Sequence, residues 1–414
     1  MRNLLLILSI LISWFSCAQQ PLKIAVVSDI HYLSQNIATN GPALQNFETG
    51  TGRVVEDLHQ VLSQVLSELI TEQPDILLIT GDITNHGERD SHIDITAKLQ
   101  PLIKKGTRVF VIPGNHDINV PNAIAYHGNN PTPTPSVSAK EFEEIYTNFG
   151  YGKAVKRDTA SLSYLAEVNE KVWLLGIDSN KYQEHTTTTI SSGRILPQTM
   201  NWILNILEDA KSKDILVLGL MHHGLVEHMP YQATFMPDYL IDNWETNAEI
   251  LANKGLKVIF TGHFHSNDIT LLTTPQGNKI YDIETGSLAG YPFPYRIITL
   301  EKNKLNVESY FIDSIPGKPN LQEEYRKKSE KIGRRIAQSR INSMDLPMPN
   351  NLKDILTDLI VKMQVLHMKG DEKVDNEMQQ MIEKLGDVLG NSNANTDSFK
   401  LDFPPADNFV EIEL

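Results

Sequence analysis

Arg108-Val109-Phe110-Val111-Ile112-Pro113-Gly114-Asn115-His116-Asp117 reads as a short β-rich run that halts in a Pro-Gly turn. It then delivers an amide, an imidazole and a carboxylate in succession. Branched and aromatic residues favour the strand, and Pro113 with Gly114 ends it. The same arrangement recurs on both sides. Leu22–Ser28 is followed by Asp29-Ile30-His31, and Asp75–Thr80 by Gly81-Asp82. Ile215–Leu220 leads to His222-His223, and Lys257–Phe260 to Gly262-His263-Phe264-His265. In open α/β sheets ligands gather beyond the carboxyl ends of strands, so five such loops can meet in space.

Asp29, His31, Asp82, Asn115, His222, His263 and His265 together offer seven oxygen and nitrogen donors. One ion cannot use so many protein ligands and keep a reactive position open. Two ions can, if one carboxylate bridges them. Carboxylate and imidazole without thiolate suit divalent Zn, Mn, Fe or Co. Two ions roughly 3.5–4 Å apart form the arrangement used for in-line displacement at phosphorus. Taken singly, Asp-x-His, Gly-Asp or His-x-His is a weak signal. Five strand-end segments, all with hard ligand types, are hard to produce by core packing alone.

The ordered set Asp29-x-His31, Gly81-Asp82, Gly114-Asn115-His116-Asp117, His222 and Gly262-His263-x-His265 resembles the calcineurin-like metallophosphoesterase superfamily over about residues 22–312. The resemblance implies a four-layer αββα sandwich. It implies Asp29, His31 and His265 on one metal, Asn115, His222 and His263 on the other, and Asp82 bridging. His116 corresponds to the family's proton-donating His and Asp117 to the acid expected to orient it and keep it protonated. The expected reaction is attack on phosphorus by a hydroxide held between the metals, with His116 protonating the departing alkoxide. His86, His223 and Tyr291 are candidate substrate contacts, each with a structural role as the alternative.

Subfamily departures narrow the substrate. Purple acid phosphatases carry a Tyr ligand, absent after Asp82; protein Ser/Thr phosphatases carry Gly-Asn-His-Glu where this chain has Asp117. Gly81-Asp82-x-Thr84-Asn85 is most similar to bacterial cyclic-nucleotide and glycerol-type phosphodiesterases. Phosphodiester hydrolysis is the preferred expectation, on a small-molecule or lipid substrate. A phosphomonoesterase or nucleotidase on the same metals is the alternative, and a non-catalytic surface binding protein is the rival of another class.

The rest of the chain sets the context. The 414 residues carry 37 Lys and Arg against 51 Asp and Glu, a net charge of −14, which argues against broad nucleic-acid binding. A single Cys excludes an internal disulfide framework and a Cys-based zinc site. Residues 1–20 read as a signal peptide, with Arg2 before the apolar Leu4–Ile12. Cys17 stands where a bacterial lipoprotein would be lipidated, the alternative being a plain signal cut near Ala18. The expected address is therefore export to the cell envelope or beyond, with membrane contact through a lipid at Cys17. Arg53 to Ile70 has a broad apolar face and predicts a helix. Pro131 to Pro135 predicts a surface loop, because alternate prolines forbid helix and interior strand. Residues 316–414 predict an all-α extension with a polar tail over Asn391–Ser398.

Overall fold

A computed structural model describes residues 20–344, 349–388 and 401–414. The signal segment, Cys17 and the polar run 391–398 lie outside the described residues. Strands β1 (Leu22–Val27), β2 (Ile76–Ile79) and β3 (Arg108–Val111) run parallel. Helices α1 (Pro42–Thr51), α2 (Val55–Glu72) and α3 (Arg89–Lys104) lie between them in sequence. A ribbon of β4 (Ile124–His127) and β5 (Asn130–Pro133) follows, then α4 (Ala139–Ile145). The proline run thus forms half of an isolated two-stranded ribbon. Its missing N–H groups cost nothing there, because no third strand needs them.

A second sheet is built from β6 (Lys156–Arg157), β7 (Tyr164–Asn169), β8 (Val172–Ile177), β9 (Leu216–Met221), β10 (Val258–Thr261), β11 (Ile269–Thr273) and β12 (Lys279–Glu284). Helices α5 (Pro197–Ser212), α6 (Gln232–Phe235) and α7 (Trp244–Asn253) fall between β8 and β10. β13 (Pro294–Glu301) and β14 (Lys304–Phe311) return to the first sheet, where β13 pairs antiparallel with β1.

Strand periodicity sorts side chains between layers. Leu218, Leu220, Val258 and Phe260 point into the core shared with the first sheet, beside Ile24, Leu78 and Val111. The alternate residues Val217, Met221 and Ile259 face Ile203, Ile206 and Leu207 of α5 and Leu251 of α7. On the far side Val61, Val65 and Leu69 of α2 and Ile95, Leu99 and Leu102 of α3 join the first core. Each such aliphatic side chain contributes about 1.5–3 kcal/mol when fully buried. The result is the αββα sandwich, two sheets between two helical layers.

Beyond it lie α8 (Leu321–Ser343), α9 (Asn350–His367) and α10 (Asn376–Val388). α8 docks on α2: Tyr325 Oη donates to Asp57 Oδ2 at 3.1 Å. On α8 Arg326 lies between Glu323 and Glu330, and Arg334 pairs with Asp358. The all-α expectation needs one correction. The chain returns as β15 (Phe409–Glu413), which pairs with β14 at the edge of the first sheet. Its alternating Phe409, Glu411 and Glu413 are exposed while Ile412 is buried, a half-buried edge-strand pattern too short to stand out in sequence. Among the described residues no helix is long and apolar enough to cross a membrane.

Candidate metal centre

The five polar segments sit just past β1, β2, β3, β9 and β10, and the structure brings them together. Asp29, His31 and His265 place one ligand atom each within 4.8 Å of the others; Asp82, His222 and His263 do the same. Asp82 faces both groups. Its Oδ2 is 3.7 Å from His31 Nε2 and its Oδ1 is 3.5 Å from His222 Nε2. Asn115 Oδ1 lies 3.2 Å from the same nitrogen of His222.

Backbone geometry makes this convergence possible. Asp29, His31, Asp82, His263 and His265 all have positive φ, between 43° and 74°. Such left-handed non-glycine residues cost of order 1–3 kcal/mol each and persist where the surroundings over-determine them. Glycines admit the close approach. A Cβ at Gly114 would collide with Asp82 N and Oδ1, and one at Gly262 with Ser28 Oγ.

Neighbours fix ring orientation. His222 Nδ1 donates to the Thr80 carbonyl at 2.8 Å, which leaves Nε2 toward Asp82 and Asn115. His263 Nε2 meets the Asp238 carbonyl at 3.1 Å, leaving Nδ1 for the interior. Such outer partners set the tautomer of a metal-binding imidazole. Burial pushes His222 down and His263 down to about 3, so both are neutral with an available lone pair. Burial drives Asp82 well up, reinforced by the Asp29 and Asp117 carboxylates. For Asp29, burial is outweighed by His265 and Ser28, and the net shift is down.

These residues fit a pair of divalent ions. Asp29 Oδ2 accepts from His263 N at 3.0 Å and from Ser28, whereas Oδ1 is buried with no hydrogen-bond partner among the described residues. That orphaned oxygen lies 3.2 Å from His265 Nε2, and His265 Nε2 lies 3.3 Å from His31 Nε2. Two imidazole nitrogens converging on an unpaired carboxylate oxygen form an uncompensated donor set, which a cation would complete.

Three expected roles are revised. Asp117 does not orient His116. Its two oxygens accept from the N–H groups of Ile83, Thr84 and Gly114 and from Thr84 Oγ1, so it ties the second and third loops together. The His116 ring instead meets His86, Nδ1 to Nδ1 at 3.1 Å, and burial followed by the charge of His86 pushes it well down rather than keeping it protonated. His223 is unsuited to touching substrate: it is fully buried, with Nδ1 on Ser179 Oγ at 2.7 Å and Nε2 on the Ser191 carbonyl at 2.9 Å. Tyr291 lines a groove between α8 and α9 with Arg326, Lys362 and Lys369, and none of the clustered acid and imidazole residues lines that groove.

Arg53 escaped sequence reasoning. It lies just before α2, and its positive charge acts on Asp82 and Asp29 and adds to the burial that pushes His31, His86 and His116 down. A lone Arg before a helix carries no motif, so nothing in the linear order marks it.

A model of the family described as calcineurin-like phosphoesterase matches residues 22–267. A probable cyclic nucleotide phosphodiesterase of Coxiella burnetii is 26% identical over 252 residues, 60% of this chain and 78% of that protein. A dimetal phosphatase from Danio rerio superposes with TM-score 0.48 at 13% identity, covering 70% of this chain and 96% of the other. A purple acid phosphatase from yellow lupin (Lupinus luteus) seeds gives TM-score 0.45 at 13% identity, covering 70% and 51%. The family match spans more than half of the chain and takes in Asp29, His31, Asp82, His222, His263 and His265, so this protein belongs to the calcineurin-like phosphoesterases, metal-dependent hydrolases of phosphoesters.

Proposed function

We propose that the chain is a phosphodiesterase working with two divalent ions. The observation that carries the two-ion reading is the position of Asp82, whose two oxygens face His31 and His222 respectively. Asp29, His31 and His265 would hold one ion, and Asn115, His222 and His263 the other, with Asp82 shared. When bound, the pair supplies an activated water at neutral pH and Lewis-acid stabilisation of charge on the phosphoryl oxygens.

The protein's own groups do the remaining work. The Asn115 amide can donate from Nδ2 to a non-bridging phosphoryl oxygen while Oδ1 stays inward. The Arg53 guanidinium adds a fixed positive charge on the same side and selects for an anionic ester. His116 has Nε2 free, because Nδ1 is engaged by His86. If the His86–His116 pair takes up one proton when the anionic ester binds, the His116 Nε2 proton can pass to the leaving oxygen as the His86 Nδ1 proton shifts onto His116 Nδ1, so that both rings end neutral. His116 N also donates to Asp82 Oδ1 at 2.8 Å, so the acid and the shared carboxylate are held in one frame.

Diester preference is supported by the 26% identical relative described as a probable cyclic nucleotide phosphodiesterase. A monoesterase could use the same donors. Metal-replete protein assayed on bis-para-nitrophenyl phosphate and para-nitrophenyl phosphate separates the two. A higher kcat/KM on the diester is expected, and a clear preference for the monoester would overturn the reading. No turnover of either, or of cyclic nucleotides and glycerophosphodiesters, would restore the binding-protein alternative. Export, with a lipid on Cys17, is part of the same proposal and rests on the residues before Pro21 alone.

A further inference from the structure

A second concentration of buried acids lies where the C-terminal region meets the sandwich. Asp268 precedes β11, Glu372 follows α9, and Asp402 and Asp407 precede β15. One oxygen from each of the four lies within 4.8 Å of the others. Asp268 and Asp407 are fully buried and Glu372 is 7% exposed.

Their free valences face one another. Asp268 Oδ1 is taken by His228 Nδ1 at 2.7 Å and Thr270 Oγ1 at 2.9 Å, and Glu372 Oε1 by His367 Nδ1 at 2.6 Å. Asp268 Oδ2, Glu372 Oε2 and Asp402 Oδ1 are buried with no hydrogen-bond partner among the described residues. Asp407 is held in place by the N–H groups of Ile269 at 2.8 Å and Asp371 at 2.6 Å.

Nearby cations offset this charge only in part, His367 Nδ1 serving Glu372 at 2.6 Å and lying 3.8 Å from Asp268 Oδ2. His228 serves Asp268 and sits 3.3 Å from Asp282 and 3.5 Å from Glu284, two further buried acids. Arg296 spends its guanidinium on the carbonyls of Asp407 and Glu284 and on Ser309 Oγ. Unpaired buried carboxylates cost several kcal/mol each unless protonated or bound to a cation.

We propose that Asp268, Glu372, Asp402 and Asp407 form a third cation site of the calcium type, separate from the phosphoester centre, which pins the C-terminal region to the sandwich. The donors are all oxygens, the set that suits hard cations. Calcium–oxygen bonds of 2.3–2.6 Å let ligands stand up to about 5 Å apart, so four oxygens within 4.8 Å of one another lie inside the reach of one such ion, whose flexible coordination tolerates an irregular carboxylate set. His367 Nδ1 orients Glu372 through its Oε1.

The test uses the full chain with manganese in excess, so that the phosphoester centre is filled. Added CaCl2 is expected to bind at one further ion per chain by metal analysis and to raise the unfolding temperature. Glu372→Gln and Asp402→Asn should each abolish the calcium increment while retaining the bound manganese. Should those variants fail to fold, terbium luminescence on the wild-type chain decides: one site, displaced by calcium and not by equimolar magnesium. The proposal is overturned if wild-type protein takes up no calcium and no terbium, or if both substitutions leave calcium uptake unchanged. The last result would place the calcium at the phosphoester centre.

Discussion

His86 and His116 face each other Nδ1 to Nδ1 at 3.1 Å, so one nitrogen must carry the proton and the other accept it. If His86 is the donor, the proton of His116 resides on Nε2, ready for a leaving oxygen. His116→Ala should then lower kcat on alkyl phosphodiesters about 10²–10⁴-fold, the usual contribution of a positioned acid. Nitrophenyl esters, whose leaving groups need no proton, should slow far less. His86→Ala should give a smaller loss with the same dependence on leaving group and a shifted pH–rate profile. Steady-state kinetics on paired alkyl and nitrophenyl substrates measure this, and equal slowing on both would remove His116 from the acid role.

Arg53 supplies the positive charge beside Asp29 and Asp82 that belongs to no metal. A charge-assisted contact to a phosphate is worth about 1.5–3 kcal/mol, so Arg53→Met should raise KM roughly 10–100-fold with a smaller change in kcat. Arg53→Lys should recover part of the loss. An unchanged KM in the Met variant would confine Arg53 to packing.

His92 is fully buried, with Nε2 on the Asp117 carbonyl and Nδ1 on Tyr146 Oη, both at 2.9 Å. Burial holds it down to about 4, below the unfolded value of about 6.5. A histidine shifted this way is neutral when folded and takes up a proton on unfolding, so stability falls as pH drops from 6.5 toward 4. Between pH 7 and pH 5 this one residue should remove about 2 kcal/mol. Urea unfolding of wild type and His92→Gln at both pH values checks it. The variant should lose less stability than wild type on acidification, and an identical loss would show that His92 contributes nothing to the slope.

The sandwich was legible because buried parallel strands such as Ile76–Ile79 and Val258–Thr261 read as unbroken apolar runs. The clustered acids and imidazoles were legible for a related reason: each stands just behind such a run, and the hard donor types recur from loop to loop. What failed to show were relationships without local spacing. Asp117 looked like a partner for its neighbour His116, yet backbone N–H groups from the loop after β2 claim both its oxygens. β15 pairs with β14 across about a hundred residues, and nothing in Phe409–Glu413 names that partner. The α3 helix has few apolar residues and an internal Pro101, so its period is weak. Asp268, Glu372, Asp402 and Asp407 are likewise ordinary acids until the C-terminal region folds back.

The left-handed backbone at Asp29, His31, Asp82, His263 and His265 carries a cost for anyone engineering this enzyme. Each position would relax if replaced by glycine, so metal-free screening for heat resistance would reward variants that have surrendered their chemistry. Selection for robustness should therefore be run with the ions supplied and turnover scored in the same round.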